Sequence, residues 1–420
     1  MQVLLINPRA DFLAEPAFVP PLGLLYLGAA LQLAGHEPRV VDLNLPGAKI
    51  TGHDPRLIGI GLTTALFPAA RTVVVACRGI YPGVPIVVGG PHLSVRPGDY
   101  EKLGADWSAS GDGEIKIAYL AGMLARGFGV ASGFLPSWAE VDVDTVPIPA
   151  RHLVPIRDYR CTLDGDQAAT VVTQRGCPFA CTFCSRWEGS RRVRARHLSN
   201  VIEEIRQLKD AGYSSFVFHD DEMNLHDSRL LELCRILAPE KIHFKANVRA
   251  DLLTAEQAEA LAAAGCSWLC VGVESGNAGI LKTVSKGTTP EVNARARDLC
   301  RQAGIKFKAF VIAGLPGESR ATIEETRRWL IDNAVDDLTV TMFVPFPGSS
   351  IHDHRNGHDI RFEVDYEQDA LTFRGAAGTR LPHVVRTSGL SADELAEFPE
   401  QLESEVRREL GLAGTYQGVA

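Results

Sequence analysis

Long uncharged apolar runs are missing from this sequence. In 420 residues none reaches the roughly 18 needed to cross a bilayer, so no membrane span is expected. A signal peptide is not expected either. The opening "MQVLLINPRADF" has no basic region ahead of its short apolar core, and reads as a first β-strand. The chain is therefore expected in the cytoplasm. Positive charge is also short: 43 Lys and Arg against 51 Asp and Glu leave a net charge of −8. That balance argues against a nucleic-acid-binding face. The one basic run, "SRWEGSRRVRAR" (residues 185–196), is broken by Glu188 and reads as a solvated or phosphate-facing loop. An even set of cysteines is lacking too. There are nine, and in a cytosolic chain they are normally reduced. Cys77, Cys234 and Cys300 fall on apolar helix faces, Cys266 and Cys270 bracket "SWL", and Cys161 sits in a linker. These six read as small buried hydrophobes.

What is present is an ordinary globular composition, 45% hydrophobic and 22% charged, with length for two or three domains. The reading is an α/β chain. Residues 1–136 alternate short apolar strands with helical patterns, which implies a doubly wound parallel sheet of Rossmann type. Its ligand-facing loops are "NPRADF", "TTALF", "GGPHLS" and "GDGE", since such sheets bind at the carboxyl ends of their strands. One unit is short. Between "RVVDLN" and "LIGIGL" lies only "LPGAKITGHDPR", too few residues and too many breakers for a crossover helix. Residues 137–165 read as a proline-punctuated linker. Residues 166–346 carry six strand–helix units, a partial (β/α)6 barrel. Residues 347–420 form a C-terminal extension with one late helix near "SADELAEFPEQLESEVRREL".

The chemistry concentrates in "RGCPFACTFCSR" (residues 175–186), directly after the first barrel strand. Cys177, Cys181 and Cys184 stand at C-x3-C-x2-C. Structural zinc wants four ligands, usually as two C-x2-C knuckles, and no second knuckle exists. His197 and His219 match no zinc spacing. A dithiol redox site would leave one thiol idle. An iron–sulfur cluster held by three thiolates, with one iron open to a small ligand, fits better. Pro178 stiffens the turn, and Phe183 is placed to shield the site.

These residues carry a resemblance. C-x3-C-x-(aromatic)-C, as Cys177, Cys181, Phe183 and Cys184 at the end of the first strand of a six-unit barrel, resembles the radical SAM superfamily. The resemblance implies a [4Fe–4S] cluster whose free iron is chelated by S-adenosylmethionine and which cleaves it to a 5′-deoxyadenosyl radical. It implies further that "FHDDEMN" (residues 218–224) meets the methionine amino group through Asp220, Asp221 or Glu222. "VGVESG" (residues 271–276) supplies Glu274 and Ser275 to the ribose and methionine. "FVIAGLPGES" (residues 310–319) supplies a glycine-rich adenine-side segment containing Gly314. Phe183 is counted with the cofactor-binding residues. The N-terminal sheet is similar to the cobalamin-binding domain of one branch of the superfamily, through "PPLGLLYLGAALQLAGHEPRVVDLN", "GGPHLSVRP" and "GDGE". The D-x-H-x-x-G signature is absent.

The resemblance implies an enzyme acting on an unactivated C–H bond of a small polar molecule. It also implies an external electron donor such as flavodoxin or ferredoxin with its reductase. In layout the chain is closest to non-methylating members such as the aminoglycoside diol dehydratases. The expectation is therefore dehydration or redox chemistry on a sugar-like metabolite of antibiotic biosynthesis. The alternative is a cobalamin-dependent C-methyltransferase, and a second alternative is a non-catalytic iron–sulfur or cobalamin sensor. Catalytic acid–base candidates are His219, Asp221 and Glu222. The trimmed sheet, with Leu66 and Phe67 placed where a corrin ring would lie, leads to the expectation of a degenerate cobalamin fold working without corrinoid.

Overall fold

The computed structural model describes residues 1–135, 141–354, 357–367 and 384–412. Residues 137–140 of the expected linker, and 355–356, 368–383 and 413–420 of the C-terminal extension, lie outside them. Two parallel sheets organise the chain. The first has six strands in the order β2-β1-β3-β4-β5-β6: β1 (Gln2–Asn7), β2 (Glu37–Asp42), β3 (Leu57–Gly61), β4 (Ile86–Gly89), β5 (Trp107–Ala109) and β6 (Gly133–Phe134). Every pairing in it is parallel.

Both faces of this sheet are covered, so its strands are apolar on both sides. Val3, Leu4, Leu5 and Ile6 of β1 are fully buried, each worth roughly 1.5–3 kcal/mol relative to exposure. On one face, Val3, Leu5, Leu57 and Val87 pack on Leu24 and Leu31 of α1 (Leu22–Leu33) and on Ile117 and Leu120 of helix Glu114–Ala125. On the other, Leu4, Ile6, Ile58 and Ile60 pack on Phe67, Ala70, Val73 and Val74 of α2 (Phe67–Ile80). As expected, residues 43–56 contain no helix. Leu43, Ala48 and Ile50 lie against the α2 face instead. Several short elements were not anticipated. "GGPHLS" contains the short helix Pro91–Val95, and β6 adds an edge strand of two residues.

The second sheet contains the six expected strands in sequential order, all parallel: Asp166–Val171, Ser215–Phe218, His243–Val248, Cys266–Glu274, Lys306–Ala313 and Asp337–Met342. Thr162–Leu163, within the expected linker, joins its edge antiparallel. Alternation sets the faces. Ala169, Val171, Phe216 and Phe218 enter the large core under the helices, whereas Ala168 and Val217 point to the other face. There they meet Cys161, Leu163 and Phe18, a residue of the loop between β1 and α1. The first sheet's domain thus reaches into the concave side of the second. No described helix is long and apolar enough to cross a membrane.

Candidate functional site

The cysteine loop starts where the first barrel strand ends, and buried hydrogen bonds hold its start. The Asp220 carboxylate accepts from the backbone N–H of Thr173 (2.6 Å) and of Gln174 (3.2 Å), and from the Thr173 hydroxyl. At Gly176 the chain turns with φ +100°. A Cβ there would lie 2.3 Å from the Arg192 carbonyl oxygen and 2.8 Å from that of Ser190, so only glycine fits. The Cys177 N–H donates to Ser190 O at 3.0 Å, and Gln174–Arg175 pairs antiparallel with Arg194–Ala195. The loop is thereby folded back on itself.

Cys177 is buried, while Cys181 and Cys184 are half-buried, and all three thiols are free. Arg186 links two of these residues. Its Nε lies 3.1 Å from Cys184 Sγ, its Nη1 donates to Cys177 O at 3.2 Å, and its Nη2 sits 3.4 Å from Asp221. Burial pushes the thiols of Cys177 and Cys184 up, and the Arg186 charge pulls them back. Among the described residues no three His, Cys, Asp or Glu side chains converge closely enough for a single metal ion. Three thiols around one short loop suit a larger thiophilic object, which a multi-iron cluster is.

Beside Cys181 lies a compact charged group. Lys286 Nζ is 2.8 Å from Glu274 Oε1, with both side chains 8% exposed. Arg249 Nη2 donates to Lys286 O at 2.7 Å, and its guanidinium stands 3.6 Å over the Phe179 ring, a cation–π contact. Glu222 completes the group. Burial pushes its carboxyl up to about 7; Lys286 and Arg249 oppose this, and Glu274 and Asp221 add to it. Space for the Glu274–Lys286 pair comes from Gly272, where a Cβ would lie 2.3 Å from Glu274 Oε1 and 2.7 Å from Lys286 Nζ. Glu274 holds φ +60° at an irregularity in the strand register between Gly272 and Glu274. Non-glycine residues in the left-handed region are uncommon and concentrate at functional sites.

Several expected site residues have partners within the scaffold. Asp220 is 1% exposed, and its carboxylate oxygens are taken by Thr173 and Gln174. Ser275 is fully buried, with its hydroxyl 3.2 Å from that of Thr326. Phe183 packs against the barrel core. Gly314 shapes a turn with φ +91° and donates its N–H to buried Glu318. Glu222 and Glu274 do meet beside the cysteines, and Asp221 is half-exposed at their rim. Lys286 and Arg249 were missed. Arg249 follows a barrel strand directly, and a charged residue at that position was the available signal.

A second feature adjoins the first. A cavity of about 680 Å³ opens at the carboxyl ends of the first sheet, among Asn7, Gly61, Thr63 and Gly90, and is closed from the barrel side by Thr170, Val172, Arg175 and His219. Its volume is that of a cofactor site. Arg175, two residues before Cys177, pairs with Asp112 at 2.9 Å and Glu114 at 2.7 Å, joining the two domains at the cavity's edge. His219 is open to the cavity although protein surrounds it. Burial, with Lys245 adding to it, holds its pKa down to about 4. The expected obstruction by Leu66 and Phe67 is absent. Leu66 lines the wall, whereas Phe67 begins α2, is fully buried and packs inward on His92 in a tilted ring contact at 5.0 Å.

Residues 171–330 match the Radical SAM superfamily and residues 15–121 match the B12 binding domain. The chain thus joins a Radical SAM domain to a B12-binding domain. A degenerate N-terminal domain is therefore corrected on two grounds, the match and the open cavity. The chain is 27% identical over 397 residues to an uncharacterized methyltransferase of Pyrococcus horikoshii, covering 88% of this chain and 86% of that protein. It is 29% identical over 392 residues to the anaerobic magnesium-protoporphyrin IX monomethyl ester cyclase of Rubrivivax gelatinosus, covering 84% and 69%. Further relatives include bacteriochlorophyllide methyltransferases of Chlorobaculum tepidum and the hopanoid C-3 methylase of Methylococcus capsulatus. Among solved structures, the radical S-adenosylmethionine methyltransferase TsrM of Kitasatospora setae, with cobalamin and a [4Fe-4S] cluster bound, superimposes with a TM-score of 0.73 at 20% identity. It covers 99% of this chain and 91% of that one. At that identity the likeness establishes the fold.

Proposed function

We propose that this protein is a cobalamin-dependent radical SAM methyltransferase acting on a small-molecule substrate. The observation that carries the reading is the open cavity at the strand ends of the B12-binding domain, facing the cysteine loop's own strand. The dehydration reading rested on layout, and the expectation of a domain without corrinoid rested on a filled cleft; the open cavity removes the second. Relatives named as methyltransferases support the same side.

The residues present fit the groups this reading requires. Cys177, Cys181 and Cys184 would hold the cluster, with Arg186 offsetting thiolate charge. Glu222 and Glu274 would receive an ammonium group, and Lys286 and Arg249 a carboxylate. Together these are the two ends of an amino acid, and charge-assisted hydrogen bonds of this kind contribute about 1.5–3 kcal/mol each. The cavity's glycines leave room for a flat ring: a Cβ on Gly61 would sit 3.0 Å from Leu24, and one on Gly113 3.0 Å from Leu27. When bound, the cluster with S-adenosylmethionine supplies a radical initiator, and cobalamin supplies a carrier for the methyl group. This chain's part is to hold them in one water-poor space. The Arg175–Asp112–Arg194 ion pairs close one edge, and Val19, Pro20, Pro21 and Leu22 give the cavity an apolar wall. An external one-electron donor of flavodoxin or ferredoxin type completes the system.

The test is anaerobic reconstitution with iron, sulfide and hydroxocobalamin, then desalting and incubation with reductant and S-adenosylmethionine. The reading expects stoichiometric corrinoid, with both 5′-deoxyadenosine and S-adenosylhomocysteine as products. Protein that retains no corrinoid and releases 5′-deoxyadenosine alone refutes it.

A further inference from the structure

The interdomain cavity is uneven in its chemistry. From the first sheet come glycines, prolines and aliphatic chains, with Asn7 and Thr63 as polar exceptions. Asn7 already donates its amide to Asp42 at 2.9 Å. The lining contains no cysteine and no methionine, and the D-x-H-x-x-G signature that would bring a histidine from this domain is absent from the sequence. Of the charged lining residues, Arg175 is bound to Asp112 and Glu114. A transition-metal centre placed here would meet no free soft or imidazole donor from the first sheet.

The barrel side supplies one. His219 is the single histidine in the lining. It follows the second barrel strand, and its backbone N–H donates to Val171 O at 2.8 Å, so its position is fixed by the sheet. Its side chain is exposed to the cavity. Among the described residues no hydrogen-bond partner of its ring is present; the interactions that bear on it are burial and repulsion from Lys245. Its ring is therefore neutral at physiological pH and keeps one nitrogen lone pair available. Neutral imidazole is the commonest protein metal ligand, and cobalt(II) binds imidazole nitrogen well.

Resting on the corrinoid reading above, we propose that His219 is a nitrogen ligand to the cobalt of a corrinoid held in this cavity, bound from the side of the barrel. Ligation forms one N–Co bond from the imidazole lone pair and releases one water. No electron or proton is transferred. The ligand then comes from the domain that carries the cysteine loop and not from the B12-binding domain, so the two domains share one metal centre.

The test uses full-length protein loaded with cob(II)alamin and measured by electron paramagnetic resonance, made once with ordinary histidine and once with [15N]histidine. The proposal expects nitrogen superhyperfine splitting that changes from triplets to doublets on histidine labelling alone. In His219→Ala and His219→Gln that histidine-derived splitting should vanish. The corrinoid's own benzimidazole cannot mimic this result, since it is not labelled. Wild-type protein that binds corrinoid with a spectrum insensitive to [15N]histidine overturns the proposal and leaves the methyltransferase reading standing. Wild-type protein that binds no corrinoid removes that reading and this inference with it. Should the variants lose corrinoid altogether, the labelling of the wild type still decides.

Discussion

Replacing Lys286 by methionine is the sharpest perturbation this structure offers. Lys286 and Glu274 are each 8% exposed and 2.8 Å apart, so their charges are largely withdrawn from water. Removing the lysine leaves the Glu274 carboxylate buried beside Glu222, with Arg249 as the remaining nearby cation. Breaking a buried pair in this way costs about 3–5 kcal/mol. Replacing both partners, as in Lys286→Met with Glu274→Gln, should recover most of that loss, because no isolated charge remains. Gly272→Ala gives a third arm. It keeps both charges but pushes a methyl group to within 2.3 Å of Glu274 Oε1, displacing the pair. All three variants should lose S-adenosylmethionine binding, by roughly tenfold to over a hundredfold for each charged hydrogen bond removed. Only Lys286→Met should show the full stability loss. Urea titration, followed by intrinsic fluorescence, and calorimetric binding of S-adenosylmethionine under anaerobic conditions measure the two quantities separately. A cost below about 1 kcal/mol for Lys286→Met would mean the pair is solvated like a surface ion pair, and the reasoning would fail. So would unchanged S-adenosylmethionine affinity in Gly272→Ala.

Other consequences are open to measurement. Cys181→Ala should abolish cleavage of S-adenosylmethionine and lower bound iron, whereas Cys266→Ser should keep the cluster and cost about 1–3 kcal/mol; the reverse pattern in iron analysis would exclude the cysteine assignment. Gly61→Leu should fill the cavity floor and reduce corrinoid retention while leaving cluster absorbance intact. Burial pushes the Glu318 carboxyl up to about 8, opposed by the N–H groups of Gly314 and Leu315. The folded state therefore holds a proton that the unfolded chain releases near pH 4.5. Its contribution to stability is present below pH 4.5 and is lost as pH rises to about 8. Glu318→Gln should flatten that decline, and identical pH–stability curves for the two proteins would count against it.

The alternation of strand and helix was readable because buried parallel strands are written as short, nearly continuous apolar runs. "VLLIN", "FVIAG" and "LTVTMFV" leave little choice. Elements of a few residues were not readable. Gly133–Phe134 has no periodicity, and "GGPHLS" looks like a turn although Pro91 can open a helix after Gly90 at φ +104°. At the site, the spacing of the three cysteines puts them on one short loop, as the structure has them. Ser275 came with Glu274 from the resemblance, and the sequence does not show which way its hydroxyl turns. The register irregularity and the φ of Glu274 rotate the chain there, and Ser275 turns away toward Thr326. Asp220 is a related case: an acidic residue at a strand end can bind a ligand or brace the neighbouring loop, and its bonds to Thr173 and Gln174 are visible only in the structure. Phe67 shows the limit of placing bulky residues in a cleft by sequence. As the first residue of a helix its side chain turned into the core.

The loop between β1 and α1 bears on how such chains are inherited. Within a few residues it presents Phe18 to the concave side of the barrel, beside Cys161 and Val217, and Val19, Pro20 and Pro21 to the cavity wall. A recombination event that exchanged the first domain for that of a relative would arrive with a foreign stopper for the barrel and a foreign wall for the cofactor. Neither half can drift freely: a larger residue at position 18 demands a smaller one at 161, 168 or 217 on the far side of the boundary. The two sheets match separate families, yet in this chain a change at their shared boundary is felt by both.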